Sequence, residues 1–197
     1  MKILIGTPIH QVKDYSMERW LENVSRLEYP ADFLMVDNST GLDYVEKVKG
    51  YCQKYGIKNY QIKHVEFDPA MIPDEKIERS EELIRQEVLA RGYDAWFSWE
   101  CDQIVPTNTL NKLIEMMNSG NFTVVNCNSW ARKNPTENNT DLGCVLIKRE
   151  CLEKTSFLNN GQRFFGNDAW FKIRALKNGS NYLEAYGVIN PIYHLDG

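Results

Sequence analysis

Two carboxylates one residue apart, Glu100 and Asp102, follow directly on the apolar run Ala95-Trp96-Phe97-Ser98-Trp99. Such a run reads as a buried strand, and residues two apart on an extended chain point the same way. Both acids are therefore expected to project together from the strand's C-terminal end, where open α/β sheets bind ligands. Mg²⁺ and Mn²⁺ take oxygen ligands, and one or two carboxylates plus a substrate's phosphates commonly hold them. The pair is a candidate metal site. By itself the pattern also describes two solvated acids opening a loop, so the surrounding elements decide between the readings.

Those elements alternate between strand and helix signals, the pattern of an α/β domain with a largely parallel sheet flanked by helices. Ile3 to Thr7 reads as a first strand, followed by a helix near Tyr15 to Leu27 with Trp20, Leu21, Val24 and Leu27 on one face. A second strand spans Phe33 to Val36, a helix Tyr44 to Tyr55, and a third strand Tyr60 to Val65. The longest helix, Asp74 to Arg91, has Ile77, Ile84 and Val88 at helical spacing and stops at Gly92. Beyond the acidic pair, Pro106 restarts the chain into a helix with Leu110, Leu113, Ile114 and Met117 inward, and Phe122 to Val125 forms a strand. The polar stretch Asn126 to Asp141 reads as a long loop, a kind that in a compact domain is usually functional or mobile. Gly143 to Ile147 is a strand, Gly166 to Lys177 a helix with Ala169, Trp170, Ile173 and Leu176 on one face, and Tyr182 to Ala185 a last strand. No linker composition interrupts residues 1–197, so a single domain is expected.

Three polar clusters then fall at strand ends: Thr7-Pro8, Asp37-Asn38-Ser39 and Glu100-Cys101-Asp102. In an open α/β sheet all three converge on one crevice, and carboxylates for a metal beside an Asp near the first strand suit a nucleotide. Neither GxGxxG nor GxxxxGK[ST] is present, so dinucleotide and P-loop readings lose their main support. The charge of a bound diphosphate must then be met by a metal and isolated cations.

The bulk properties exclude other classes. Net charge is −4, and the 23 Lys and Arg are scattered without a basic cluster, which argues against a nucleic-acid partner. The first residues have too short an apolar run for a signal peptide, and no stretch of 18 apolar residues supplies a membrane span. The five cysteines are odd in number and lack CxxC spacing. They are expected to be buried in a reducing compartment, which points to a cytoplasmic location.

In the order and spacing of these motifs the chain resembles family 2 type glycosyltransferases of the GT-A fold. Ile3 to Pro8 matches the family's opening strand, Asp37 its base-contacting acid and Arg79 the Arg that precedes its DxD. Glu100-Cys101-Asp102 with Pro106 matches the DxD and its following Pro. Gly166-Asn167-Asp168, with Trp170 and Arg174, matches the later acidic motif, and His194 lies where many such enzymes place a last metal ligand. Two positions depart from the pattern: Glu100 replaces the first Asp, and Asn167 replaces a Glu, leaving Asp168 alone to carry the acidic role.

The resemblance implies transfer of a sugar from a nucleotide diphosphate donor, a UDP- or GDP-sugar, to an acceptor hydroxyl on a glycan, lipid or protein. It implies an inverting reaction with Asp168 as catalytic base and Mn²⁺ or Mg²⁺ held by Asp102, Glu100 and His194. Thr7, Pro8, Asp37, Asn38, Arg79, Glu100 and Asp102 would bind the nucleotide. Trp130, Trp170, Phe164 and Phe165 are candidates for a sugar-stacking rim, or for core packing. Two alternatives stay open: a sugar-nucleotide nucleotidyltransferase, which would need a glycine-rich loop that Thr7-Pro8-Ile9-His10-Gln11 lacks, and a binding module without catalysis.

Overall fold

The structure, a computed structural model, describes residues 1–127, 141–161 and 166–195. Its spine is a seven-stranded sheet of β1 (Ile3–Ile9), β2 (Asp32–Asp37), β3 (Tyr60–His64), β4 (Ala95–Trp99), β6 (Val124–Asn126), β7 (Cys144–Lys148) and β8 (Tyr182–Glu184). The order across the sheet is β3-β2-β1-β4-β7-β6-β8. All the strands run parallel except β7, which lies antiparallel between β4 and β6. This is the mostly parallel, helix-flanked α/β arrangement expected from the alternating pattern.

Both faces of the sheet are covered, so its central strands are mostly apolar. Phe97 and Trp99 of β4 point into one core with Trp20 of α1 (Asp14–Ser25), Val48 of α2 (Asp43–Lys54) and Leu113 of α4 (Thr109–Ser119). Trp96 points into the opposite core, with Ile84 and Val88 of α3 (Pro73–Ala90), Leu152 of α5 (Arg149–Lys154) and Phe171 of α6 (Asn167–Lys177). A Cβ on Gly6 would strike the Ile84 side chain and come within 2.8 Å of Trp96 Nε1. The missing side chain lets α3 lie close over β1, and Trp96 donates to the Gly6 carbonyl at 3.0 Å. All five cysteines are free and buried. Among the described residues no helix is long and apolar enough to cross a membrane.

Three expectations need correction. The inward face of α6 is Phe171 and Ala175, whereas Ile173 and Leu176 are exposed. Apolar residues surround α6 on several sides, and the Phe171 ring, stacked on Phe157 at 4.3 Å, fixes its rotation. Ile77 is exposed too and borders the ligand cleft instead of entering the core. Last, a second sheet of two short strands, β5 (Gln103–Ile104) and β9 (Tyr193–His194), had no sequence signal. Most of the expected loop Asn126 to Asp141 lies outside the described residues, as do Trp130, Phe164 and Phe165.

Candidate active site

The sheet reverses its strand order between β1 and β4: β2 and β3 extend to one side of β1, and β4 opens the other. Ligands of open α/β sheets bind beyond the strand ends at such a point. A cleft of about 490 Å³ opens there. It is bordered by Thr7 and Pro8 after β1, Asn38 after β2, Glu100 and Asp102 after β4, and Asp168 of α6. Residues from three strand ends and a distant helix thus meet at one cleft.

Glu100 and Asp102 converge through a turn instead of the strand alternation expected for them. β4 ends at Trp99, and the Gln103 N–H closes the turn on the Glu100 carbonyl at 3.1 Å. The short β5–β9 ladder pairs Gln103 with His194, and the Leu195 N–H bonds the Asp102 carbonyl at 2.7 Å. His194 is thereby carried to the acids from the far end of the sequence. One ligand atom from each of Glu100, Asp102 and His194 lies within 4.8 Å of the others. Asp102 is buried, and its Oδ2 accepts from the Lys13 ammonium and from the Tyr15 hydroxyl at 3.2 Å, with His194 Nε2 at 3.4 Å. Burial disfavours the Lys13 ammonium, but the hydrogen bond and charge of Asp102 outweigh it and hold the pKa above the usual lysine value. Two carboxylates and an imidazole form a donor set that suits Mn²⁺. The Lys13 ammonium seated on Asp102 marks the position as one that demands positive charge, so these residues fit a divalent cation.

Asp168 lines the same cleft as the pair. It is the second residue of α6 and does not cap that helix, since its Oδ2 accepts from the Leu142 N–H at 3.1 Å, 26 residues away. Burial pushes its carboxyl up from 3.8 to about 7, with the charge of Asp141 adding and the Leu142 bond opposing. Glu100 is likewise held well above the usual carboxylate range by burial, then by the charges of Asp141, Asp102 and Asp168. Glu100 Oε2 accepts from the Gln103 amide at 2.8 Å. Gly143 makes this packing possible, because a Cβ there would lie 2.8 Å from Glu100 Oε2 and 2.9 Å from Asp141 Oδ1.

Two residues of the expected nucleotide set lie elsewhere. Asp37 is fully buried beneath the cleft: Oδ1 accepts from the Ser39 hydroxyl at 2.7 Å and Oδ2 faces His64 Nδ1 at 2.7 Å. Ser39 in turn accepts from the Gln11 N–H at 2.9 Å, which ties the loops after β1 and β2 together. Arg79 is exposed on α3. The positions of α3 that border the cleft are Asp74, Lys76, Ile77 and Glu81.

Lys13, Lys76 and Glu81 line the candidate site and Tyr15 bonds Asp102 there, none of them expected from the sequence. Nothing local signals Lys13, whose partner is 89 positions away. Glu81 did carry a signal: it falls in the series Ile77, Glu81, Ile84, Val88, which is helical spacing, so an acid occupies the apolar stripe.

No protein-family model and no curated protein matches the chain. Solved structures do. TarS residues 1–349 from S. aureus superimposes with a TM-score of 0.68 at 13% identity, over 94% of this chain and 58% of that one. This chain shares their fold. The mannosyltransferase PcManGT from Pyrobaculum calidifontis, in complex with GDP-Man and Mn²⁺, gives 0.69 at 13% identity over 95% of this chain and 55% of that one. TarS residues 1–349 in complex with UDP-GlcNAc gives 0.64, again at 13% identity, over 94% and 58%. The chain therefore spans just over half the length of these structures.

Proposed function

We propose that the protein transfers a sugar from a UDP- or GDP-sugar to an acceptor hydroxyl, with inversion and with dependence on Mn²⁺ or Mg²⁺. The observation that carries this reading is the meeting of two kinds of group in one cleft. Glu100 and Asp102, which with His194 form a metal-ligand set, share its lining with Asp168, a carboxyl raised to about 7. The chain's similarity in fold to the GDP-Man- and UDP-GlcNAc-bound structures agrees with it.

Each residue has a distinct task. Asp102, Glu100 and His194 hold the cation, which when bound neutralises charge developing on the departing diphosphate. Lys13 and Lys76 supply further positive charge at the nucleotide side of the cleft. Thr7, Pro8 and Asn38 border the space for the nucleoside, while Asp37 acts from below by fixing Ser39 and His64. Asp168 accepts the proton of the acceptor hydroxyl as that oxygen attacks the anomeric carbon. A base with pKa near 7 combines the deprotonated state with useful basicity at neutral pH. One base facing the donor is the arrangement of direct displacement, hence inversion.

The test is turnover. The protein with Mn²⁺ is incubated with UDP- and GDP-sugars and a panel of glycan, lipid and peptide acceptors, and products are followed by mass spectrometry and by NMR of the new anomeric centre. Transfer with inverted configuration is expected. Release of neither UDP nor GDP from any donor would overturn the reading.

A further inference from the structure

Glu81 is a buried acid that the mechanism above does not use. It is 6% exposed, borders the cleft from α3, and its Oε2 has no hydrogen-bond partner among the described residues. Its neighbour Glu82 is equally buried, yet Glu82 is built into the fold: it accepts from Arg85 at 2.8 Å, the Ser156 hydroxyl at 2.9 Å and the Phe157 N–H at 3.0 Å. Leaving a buried carboxyl oxygen unsatisfied is destabilising, and such groups in native proteins call for an explanation. Glu81 faces a cleft, so a ligand group is the natural partner.

We propose that Glu81 hydrogen-bonds a hydroxyl of the transferred sugar and is a specificity-determining residue of this cleft; the inference rests on the reading given under Proposed function. Position favours the sugar over the nucleotide. The anomeric carbon must lie between the diphosphate at Asp102 and the base at Asp168, and the charges that bear most on Glu81 are those of Asp168 and Glu100. Glu81 lines the same cleft as Glu100, Asp102 and Asp168. Chemistry favours a hydroxyl. Burial first, and then the charges of Asp168 and Glu100, push the Glu81 carboxyl well above the usual carboxylate range, which favours its neutral form. A neutral carboxyl both donates and accepts, as a sugar hydroxyl does, whereas an ammonium group would call for an ionised acid.

The experiment compares affinities for UDP with UDP-GlcNAc, and for GDP with GDP-Man, by calorimetry in the presence of Mn²⁺. The wild type is measured beside Glu81→Leu and Glu81→Gln. In the wild type one sugar nucleotide is expected to bind more tightly than its diphosphate. Glu81→Leu should remove about tenfold of that difference, about 1.4 kcal/mol, while the affinity for UDP or GDP itself stays put. Glu81→Gln keeps a donor and an acceptor at the same reach and should restore the difference. A purely structural role predicts a lower Tm in both variants and no change in the ratio. Removal of an unpartnered acid instead predicts an unchanged or higher Tm. The inference is overturned if Glu81→Leu keeps the wild-type ratio, if Glu81→Gln fails to restore it, or if the sugar adds nothing to binding in the wild type. Failure of the wild type to bind any of the four nucleotides overturns the proposed function as well, so the two failures are distinct.

Discussion

The Lys13 ammonium rests on Oδ2 of Asp102, the same oxygen that lies 3.4 Å from Nε2 of His194. One carboxylate is thus shared between a fixed cation of the chain and the set of atoms suited to a metal. In the metal-free protein Lys13 compensates a buried charge, since an unpaired buried carboxylate is strongly unfavourable.

Competition follows from that sharing. Replacing Lys13 with Met should lower the Tm of the metal-free protein and raise its affinity for Mn²⁺ by about tenfold, since one nearby positive charge at partial burial weighs roughly 1–4 kcal/mol against a second cation. Titration with Mn²⁺ monitored by electron paramagnetic resonance reads the affinity directly. Weaker Mn²⁺ binding in Lys13→Met would show that the ammonium does not occupy the metal's ground.

Asp168 should act as a base and little else. Asp168→Asn retains the shape and the acceptor for the Leu142 N–H, so donor affinity is expected to stay within about threefold while the rate of transfer falls by roughly 10² to 10⁴. The wild-type rate should rise with pH through about 7, where the carboxyl loses its proton. A rate in Asp168→Asn close to wild type would remove Asp168 from the chemistry.

The same raised value has a signature in stability. The folded protein keeps the Asp168 proton up to about pH 7, whereas the unfolded chain releases it near 3.8. Between those values the native state binds more protons, so this group's contribution falls as pH rises. Measured without added metal, the stability of the wild type relative to Asp168→Asn should therefore decline from about pH 4 to about pH 7. A relative stability that climbs over this range would contradict the burial of that carboxyl.

A side chain at Gly143 should displace its neighbours. A methyl group there enters the space of the Gln103 amide first and then of Glu100 and Asp141, the ends of three flexible side chains that must shift, at the low end of the roughly 1–3 kcal/mol that overpacking costs. Gly143→Ala is expected to lower stability in urea denaturation and to weaken Mn²⁺ binding through displacement of Glu100. A variant with unchanged stability and Mn²⁺ affinity would mean that this close approach is not enforced.

What the sequence made legible follows the range of the interactions. The apolar run into Glu100 and the periodic helices are local patterns, and they located the strands whose ends form the cleft. The rotation of α6 was not legible, because it depends on Phe171 meeting Phe157 and not on the helix's own periodicity. The Lys13–Asp102 pair and the β5–β9 ladder join segments about 90 residues apart, with no periodic signature to announce them. Arg79 and Glu81 illustrate the remaining difficulty. A resemblance placed the Arg at the site, while the structure leaves Arg79 exposed and brings an unremarked Glu to the cleft.

In the proposed function Asp102 links a metal to nucleotide binding. Calorimetric titration of UDP and GDP into the wild type and Asp102→Asn, each with and without Mn²⁺, tests it most directly. The wild type should bind one of the two diphosphates at least about tenfold more tightly with Mn²⁺, about 1.4 kcal/mol, and Asp102→Asn, folded by circular dichroism, should lose that gain. Equal affinity with and without Mn²⁺ in the wild type, or a full gain retained in Asp102→Asn, would contradict it.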